Sequence, residues 1–365
     1  MSSPDIDEED IAAVTAVLRS GRLALGPWME EFERRMREYI GVKHAVAVSS
    51  GTAGLHLLVR ALGIGPGDEV LVPSFTFAAS VNAILYEGAK PVFVDIEPET
   101  YTLDPEDLRW KITSRSRAIM VVDTFGHPAE WEEILALADQ FGLSVIDDAC
   151  EALGAMYRGQ KVGRFGSGAV FAFYPNKQIT TGEGGMVVTD DSDLAEVLRS
   201  LRNQGRGKMS SWLWHERLGY NYRLDEMSAA LGASQLGKIE TFLEKRARVA
   251  AMYTERLKPF SWVKTPRIKP YARMSFFVYV VELAEGLNRD AVIRGLESRG
   301  IPARGYFAPV HRMPYIEERL KVQVGELPVT ERVAERTLAL PFHNNLAEGE
   351  VEEVVEALLE VVEGR

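Results

Sequence analysis

Cysteine is almost absent: Cys150 is the only one in 365 residues. A single thiol forms no internal disulfide and no Cys-rich zinc site, so a reducing, cytoplasmic setting suits the chain. Basic residues are in deficit. Lys and Arg number 42 against 53 Asp and Glu, a formal net charge of −11. Polyanion binders need a basic face, so neither nucleic acid nor an acidic membrane surface is expected as a partner. No uninterrupted apolar run approaches the ~18 residues that suggest a transmembrane helix. The first ten residues are acidic and lack the apolar core of a signal peptide.

Familiar catalytic motifs are missing too. No G-x-G-x-x-G follows the first predicted strand, and there is no G-x-x-x-x-G-K-S/T phosphate loop. The six histidines show no H-E-x-x-H spacing, so no metal site is expected, and no G-x-S-x-G elbow is present. What remains is an ordinary enzyme-like composition, 46% hydrophobic and 26% charged, which argues against disorder. The length suits two domains, or one large α/β domain with an appendage.

Helical and apolar segments alternate along the first half. Asp5 and Glu8 suggest a capping box for a helix over 6–18, and Pro27 starts a second helix that stops at Gly41. Short apolar runs at 44–48, 70–72, 91–95, 118–123 and 144–148 read as strands, separated by helices such as 76–86 and 129–141. Runs of this kind are buried on both faces, as in a parallel sheet covered by helices. Two further β-like runs, 169–173 and 186–189, flank a Gly/Thr-rich loop. A helix is expected over 193–201, and a long one from 224 to about 257. Beyond it the pattern changes to a β run over 275–283, a helix over 289–299 and an acidic amphipathic helix over 348–362. This predicts a large domain over 1–250 and a smaller α+β domain over 251–365. The segment 205–219 reads as a surface loop.

Three places carry chemistry. Ser49-Ser50-Gly51-Thr52 sits at a strand-to-helix junction, where free N–H groups and the helix dipole favour an anion such as phosphate. Asp147-Asp148 ends an apolar strand, the edge where open α/β sheets gather their ligands, and a carboxylate there can hold a cationic ring nitrogen. Lys177 lies in the loop Tyr174-Pro175-Asn176-Lys177-Gln178-Ile179-Thr180-Thr181-Gly182-Glu183-Gly184-Gly185, between two buried strands. A lysine partly shielded from water becomes an amine nucleophile toward a carbonyl. Each has a plainer explanation alone: a helix cap, a capping or metal-binding aspartate, a lysine on a hairpin. Together they describe pyridoxal phosphate chemistry.

The lysine loop resembles that of the DegT/DnrJ/EryC1/StrS aminotransferases, fold-type-I pyridoxal phosphate enzymes acting mostly on nucleotide-linked keto sugars. The resemblance continues at 49–53, 73–77, 145–155, 219–226 and 340–342. It implies an α/β/α large domain with a mostly parallel sheet, a smaller C-terminal α+β domain, and pyridoxal 5′-phosphate as cofactor. It makes Lys177 the Schiff-base lysine, Asp148 the pyridine partner, and Ser50, Gly51 and Thr52 the phosphate site. Phe77 would stack on the ring and Glu151 would lie against it. Asn221 would reach the phosphate of the other subunit in a homodimer with shared active sites. His311, Arg223 and Arg206 become candidates for the sugar nucleotide, together with the neighbouring Arg202 and Lys208; Trp212 and Trp214 become candidates for a nucleobase. Ala172 departs from a common serine that helps bind phosphate. The implied reaction moves an amino group from an amino acid, by resemblance glutamate, to a sugar ketone, with C4 suggested by Glu151. The alternatives are an aminocyclitol aminotransferase of antibiotic assembly and a non-catalytic regulator that keeps the cofactor fold.

Overall fold

The computed structural model describes residues 2–207, 214–321, 323 and 325–364. It opens with two helices, α1 (Glu8–Ser20) and α2 (Pro27–Ile40). Asp7, not Asp5, caps α1. Its carboxylate accepts from the N–H groups of Glu9 and Asp10, and the Asp10 carboxylate accepts from the Asp7 N–H in return. Asp5 pairs instead with Lys245 at 2.8 Å. Pro27 starts α2 as expected, and Gly41 ends it at φ 85°. The first turn of α2 is capped from far away. Glu226, fully buried, accepts from the N–H groups of Gly26 (2.9 Å), Trp28 (2.8 Å) and Met29 (3.2 Å).

The strands β1 (His44–Val48), β2 (Glu69–Pro73), β3 (Lys90–Val94), β4 (Ser116–Val122) and β5 (Ser144–Asp148) follow, then a short hairpin, β6 (Met156–Tyr157) and β7 (Gln160–Lys161), then β8 (Gly168–Ala172) and β9 (Gly185–Thr189). The main sheet has the order β1-β9-β8-β5-β4-β2-β3. Its pairings are parallel from β3 through β8, and β9 runs antiparallel to both of its neighbours. Helices α3 (Gly51–Ala61), α4 (Ala78–Tyr86), α5 (Pro105–Lys111), α6 (Trp131–Phe141), α7 (Ser192–Arg202), α8 (Glu226–Leu236) and α9 (Ile239–Leu257) cover it. Alternation along a strand divides the core. Val170 packs with Leu55, Ile84 and Leu198 of α3, α4 and α7, whereas Phe171 packs with Met36 and Leu236 of α2 and α8. Gly232 of α8 leaves room for Phe32, whose ring would stand 2.7 Å from an added Cβ.

The helix expected from 224 to 257 is two helices. Gly237 and Lys238 interrupt it, and Lys238 leaves helical geometry at φ −109°, ψ 4°. α9 then passes from one core to the other: Phe242 and Leu243 pack in the large body, Val249 and Tyr253 in the C-terminal one. There β10 (Val263–Lys264), β12 (Tyr279–Leu283), β14 (Thr337–Leu340) and β13 (Arg304–Gly305) form an antiparallel sheet in that order. β11 (Ala272–Arg273) returns to pair with β6. α10 (Arg289–Glu297) and α13 (Glu348–Glu363) pack on this sheet through Leu296 and Leu358; α11 (Pro314–Leu320) and α12 (Pro328–Arg336) complete the body. The β run expected from 275 begins only at Tyr279, because Phe276 sits at φ 50°. No helix is long and apolar enough to cross a membrane among the described residues.

Candidate active site

The ends of β1, β5 and β8 bring the three marked segments to one cavity of about 400 Å³, within the ~300–1,000 Å³ usual for small-molecule sites. At one end is the start of α3. Ser50, in extended geometry, caps the helix and its Oγ accepts from the Ala53 N–H at 3.1 Å. Gly51 and Thr52 occupy the first turn, where N–H groups have no partner within the helix. A Cβ on Gly185 would stand 2.6 Å from the Ser50 carbonyl, so only glycine lets β9 lie this close beneath the turn. Ala172 faces the cavity with a methyl and offers no hydroxyl.

Asp147 and Asp148 point to opposite faces of the sheet. Asp148 lines the cavity and is 5% exposed. Its Oδ2 accepts from the Ser80 hydroxyl at 2.7 Å, and its Oδ1 from the Cys150 N–H at 3.3 Å. With its hydrogen committed to the carboxylate, Ser80 accepts from the Thr76 hydroxyl at 2.9 Å. Asp147 points away, into a buried pair with Asp123. Burial pushes the Asp123 carboxyl up to about 7, and burial with the neighbouring Asp123 drives Asp147 well above the usual carboxylate range. The pair therefore holds a proton near neutrality. Among the described residues, no three His, Cys, Asp or Glu side chains gather as a metal site.

Lys177 lines the same cavity. Its Nζ is 3.8 Å from the centroid of the Phe277 ring and 3.9 Å from Oε1 of Glu151. Glu151 is 6% exposed, and its Oε2 accepts from the Phe125 N–H at 2.9 Å. Burial pushes its carboxyl up to about 7, against the pull of Lys177 and that N–H. Phe77, at the start of α4, is 65% exposed although its ring borders the cavity. An apolar ring left this open could cover a planar ligand.

The remaining candidates fall elsewhere. Asn221 is exposed and lies outside the cavity lining; its backbone bridges to Asn203, and its sequence neighbours Tyr220 and Tyr222 stack ring on ring. Arg223 donates to the Asn203 side chain at 3.0 Å, and Arg206 bridges to His215 within the 205–219 loop. Arg202 is no ligand for a diphosphate: it is 7% exposed and donates to Glu33 at 2.6 Å and to the Ala47 carbonyl at 2.8 Å. His311 is fully buried away from the cavity. Ser74 accepts from its N–H and is 2.6 Å from Nδ1, and Nε2 faces Glu331 at 3.3 Å. Trp214 is 64% exposed; Lys208 and Trp212 lie outside the described residues.

Three residues that touch the marked ones lie outside the sequence reading: Ser80, Phe277 and Arg246. Ser80 and Arg246 carried a signal. Each is a polar residue on an otherwise apolar helix face, Ser80 in line with Ala83 and Ile84, Arg246 in line with Phe242, Val249 and Tyr253.

The pattern of the DegT/DnrJ/EryC1/StrS aminotransferase family matches residues 4–359. The chain belongs to that family. It is 42% identical over 342 residues to GDP-perosamine synthase of Caulobacter vibrioides, covering 93% of this chain and 91% of that one. Its fold is similar to PseC of Helicobacter pylori, an aminotransferase involved in the biosynthesis of pseudoaminic acid, with a TM-score of 0.96, 31% identity, and coverage of 100% of this chain and 99% of that one. It is also similar to S. venezuelae DesV, solved in complex with a ketimine intermediate, with a TM-score of 0.92, 39% identity, and coverage of 96% and 94%. This DegT/DnrJ/EryC1/StrS chain is thus an aminotransferase of fold type I, and its cofactor is pyridoxal 5′-phosphate. The cavity fits that group. It combines a helix start for a phosphate, a hydrogen-bonded carboxylate for a ring nitrogen, an open aromatic ring and one amine.

Proposed function

We propose that this aminotransferase moves an amino group from an amino acid, glutamate as the expected donor, to the ketone of a nucleotide-linked sugar, at C4 of the ring. The observation that carries the cofactor assignment is the convergence of Asp148, Lys177 and the start of α3 on one cavity. The sugar reading rests on the relatives named above.

Bound pyridoxal 5′-phosphate supplies an aldehyde for amines and a cationic ring that takes up the electron pair left when a proton leaves the donor carbon. The chain's own residues do the rest. The N–H groups of Gly51 and Thr52, with the Thr52 hydroxyl, hold the phosphate. Asp148 keeps the ring nitrogen protonated, and Ser80 keeps Asp148 oriented. Phe77 covers one face of the ring, and Glu151 lies beside Lys177. Lys177 Nζ takes the proton from the donor carbon and returns it to the acceptor side. Asn221, exposed and with its backbone held by the bridge to Asn203, is available to a partner subunit's phosphate site, which supports a homodimer with shared sites. Arg206 and Arg223 are the described cations proposed for the diphosphate.

The test is a two-stage turnover. The cofactor-loaded protein is first treated with glutamate, then with a panel of nucleotide keto sugars, and products are resolved by mass spectrometry and NMR. Amination of a nucleotide sugar at C4 is expected. A preference for a free cyclitol ketone over every nucleotide sugar would replace this reading with an aminocyclitol one.

A further inference from the structure

The α9 helix carries a cation that the reaction as described does not use. Arg246 is 3% exposed, and no carboxylate is paired with it among the described residues. Its guanidinium donates instead to three backbone carbonyls. Nη2 donates to Lys177 O at 3.1 Å, and Nη1 to Phe276 O at 3.0 Å and Phe277 O at 3.2 Å. Burial pushes its pKa down to about 10, which leaves it charged at neutral pH. A charge buried without an anion is costly, so a simple packing role would be filled better by an apolar side chain. Arginine's planar fork can reach carbonyls on two chain segments at once, which an ammonium on a lysine stem does less well.

Those two segments meet at the amine. Lys177 O and Phe277 O belong to the residues whose side chains touch, amine over ring, at 3.8 Å. The same segments are joined once more, because Gln178 Nε2 donates to Glu151 O at 2.6 Å and to the Ser275 hydroxyl at 3.0 Å. On the far side, the N–H groups of Ser275 and Phe277 donate to the carbonyls of Gly126 and Phe125, the latter being the residue whose N–H holds Glu151. Phe125 and Phe276 sit at φ 58° and 50°. Such backbone is strained for a residue other than glycine and persists only where its surroundings enforce it.

We infer that Arg246 is a positioning residue for the reaction: by clamping the Lys177 peptide to the Phe276–Phe277 peptide, it sets the Lys177 amine over the Phe277 ring and limits where that amine can reach. The inference rests on Lys177 being the lysine that links the cofactor.

The test reads the lysine directly. The full chain, without added cofactor, is exposed briefly to acetic anhydride, and the acylation rate of each lysine is followed by peptide mass spectrometry over a range of pH. Arg246→Met is expected to raise the Lys177 rate about tenfold or more while the exposed Lys90 and Lys264 keep theirs. Arg246→Lys should fall between. A Lys177 rate within twofold of wild type overturns the inference. So does an equal rise at all lysines, which reports general loosening. If Arg246→Met does not fold, Phe277→Leu leaves the guanidinium's carbonyl partners in place and should free Lys177 alone; an unchanged rate there is equally fatal. In parallel, pyridoxal 5′-phosphate is added and its lysine linkage trapped with borohydride. Trapping on a lysine other than Lys177 would overturn the lysine assignment itself, whereas trapping on Lys177 that slows about tenfold in Arg246→Met supports the clamp.

Discussion

The hydroxyl of Ser80, in the first turn of α4, donates to Oδ2 of Asp148 across 2.7 Å. The cofactor's proposed carboxylate partner is thus held by a helix that also presents Phe77 to the same cavity. One helix sets both the proposed electrostatic contact and the proposed stacking contact.

Ser80→Ala should therefore bind cofactor yet turn over more slowly. A hydrogen bond to a charged group is worth about 1.5–3 kcal/mol, so turnover should fall by roughly 10-fold, and by more if the whole effect is expressed in the transition state. Ser80→Thr, which keeps a hydroxyl, should recover most of it. Steady-state kinetics of the three chains check this. Equal rates for Ser80→Ala and wild type would show that Asp148 needs no such support.

Asp148→Asn should keep the cofactor and lose most turnover. A carboxylate about 4 Å from a cation is worth on the order of 4 kcal/mol at an effective dielectric near 20, close to a thousandfold in rate. Single-turnover reaction with glutamate measures it. Near-normal turnover would move the role to Glu151, since Asp147 faces the other side of the sheet.

Lys177→Ala should bind cofactor without covalent linkage and show no transamination, with the fold intact by circular dichroism. Borohydride-stable label on any other lysine of this variant would contradict the assignment.

Glu151 gives the chain a pH signature. A glutamate carboxyl titrates near 4.5 in the unfolded chain, and Glu151 at about 7 in the fold. The folded state then binds the extra proton, so this residue's contribution to stability is fully present below about pH 4.5 and is lost as pH rises through about 7. The span corresponds to roughly 3 kcal/mol. Glu151→Gln has no carboxyl to ionise. Its stability relative to wild type should rise by about that amount between pH 4.5 and 7 and then level off, as urea unfolding of the two chains would report. A difference that stays flat with pH would mean that Glu151 titrates elsewhere.

Mixing Lys177→Ala with Asn221→Ala chains should restore partial activity if Asn221 serves a partner's site, because one hybrid site then carries neither change. Hybrids that form, by mass spectrometry, but stay inactive would count against sharing.

The residues legible in the sequence were those whose signal is local. Lys177, Asp148 and the Ser50-Gly51-Thr52 turn each put a polar group at the end of an apolar run, and an apolar run of about five residues marks a sheet edge. Ser80 and Arg246 stand out as polar residues on apolar helix faces, but their partners lie 68 and 69 positions away, and no local pattern names those. His311 and Arg202 show the reverse limit. Both are polar and near motifs, yet each is absorbed by a partner, Ser74 and Glu33, that only the folded chain supplies. The break at Gly237–Lys238 leaves no mark in the sequence pattern, because the apolar spacing of α8 continues into α9.

The cap that Glu226 places on α2 also bears on synthesis. Gly26 and Glu226 are 200 positions apart. At ~5–20 residues per second, about 10–40 s pass between their appearances at the ribosome. For that interval the N–H groups of Gly26, Trp28 and Met29 have no carboxylate to receive them. A nascent chain arrested before residue 226 would thus leave open the part of α2 that α8 covers, where Phe32 lies against Gly232, to any chaperone that binds such stretches.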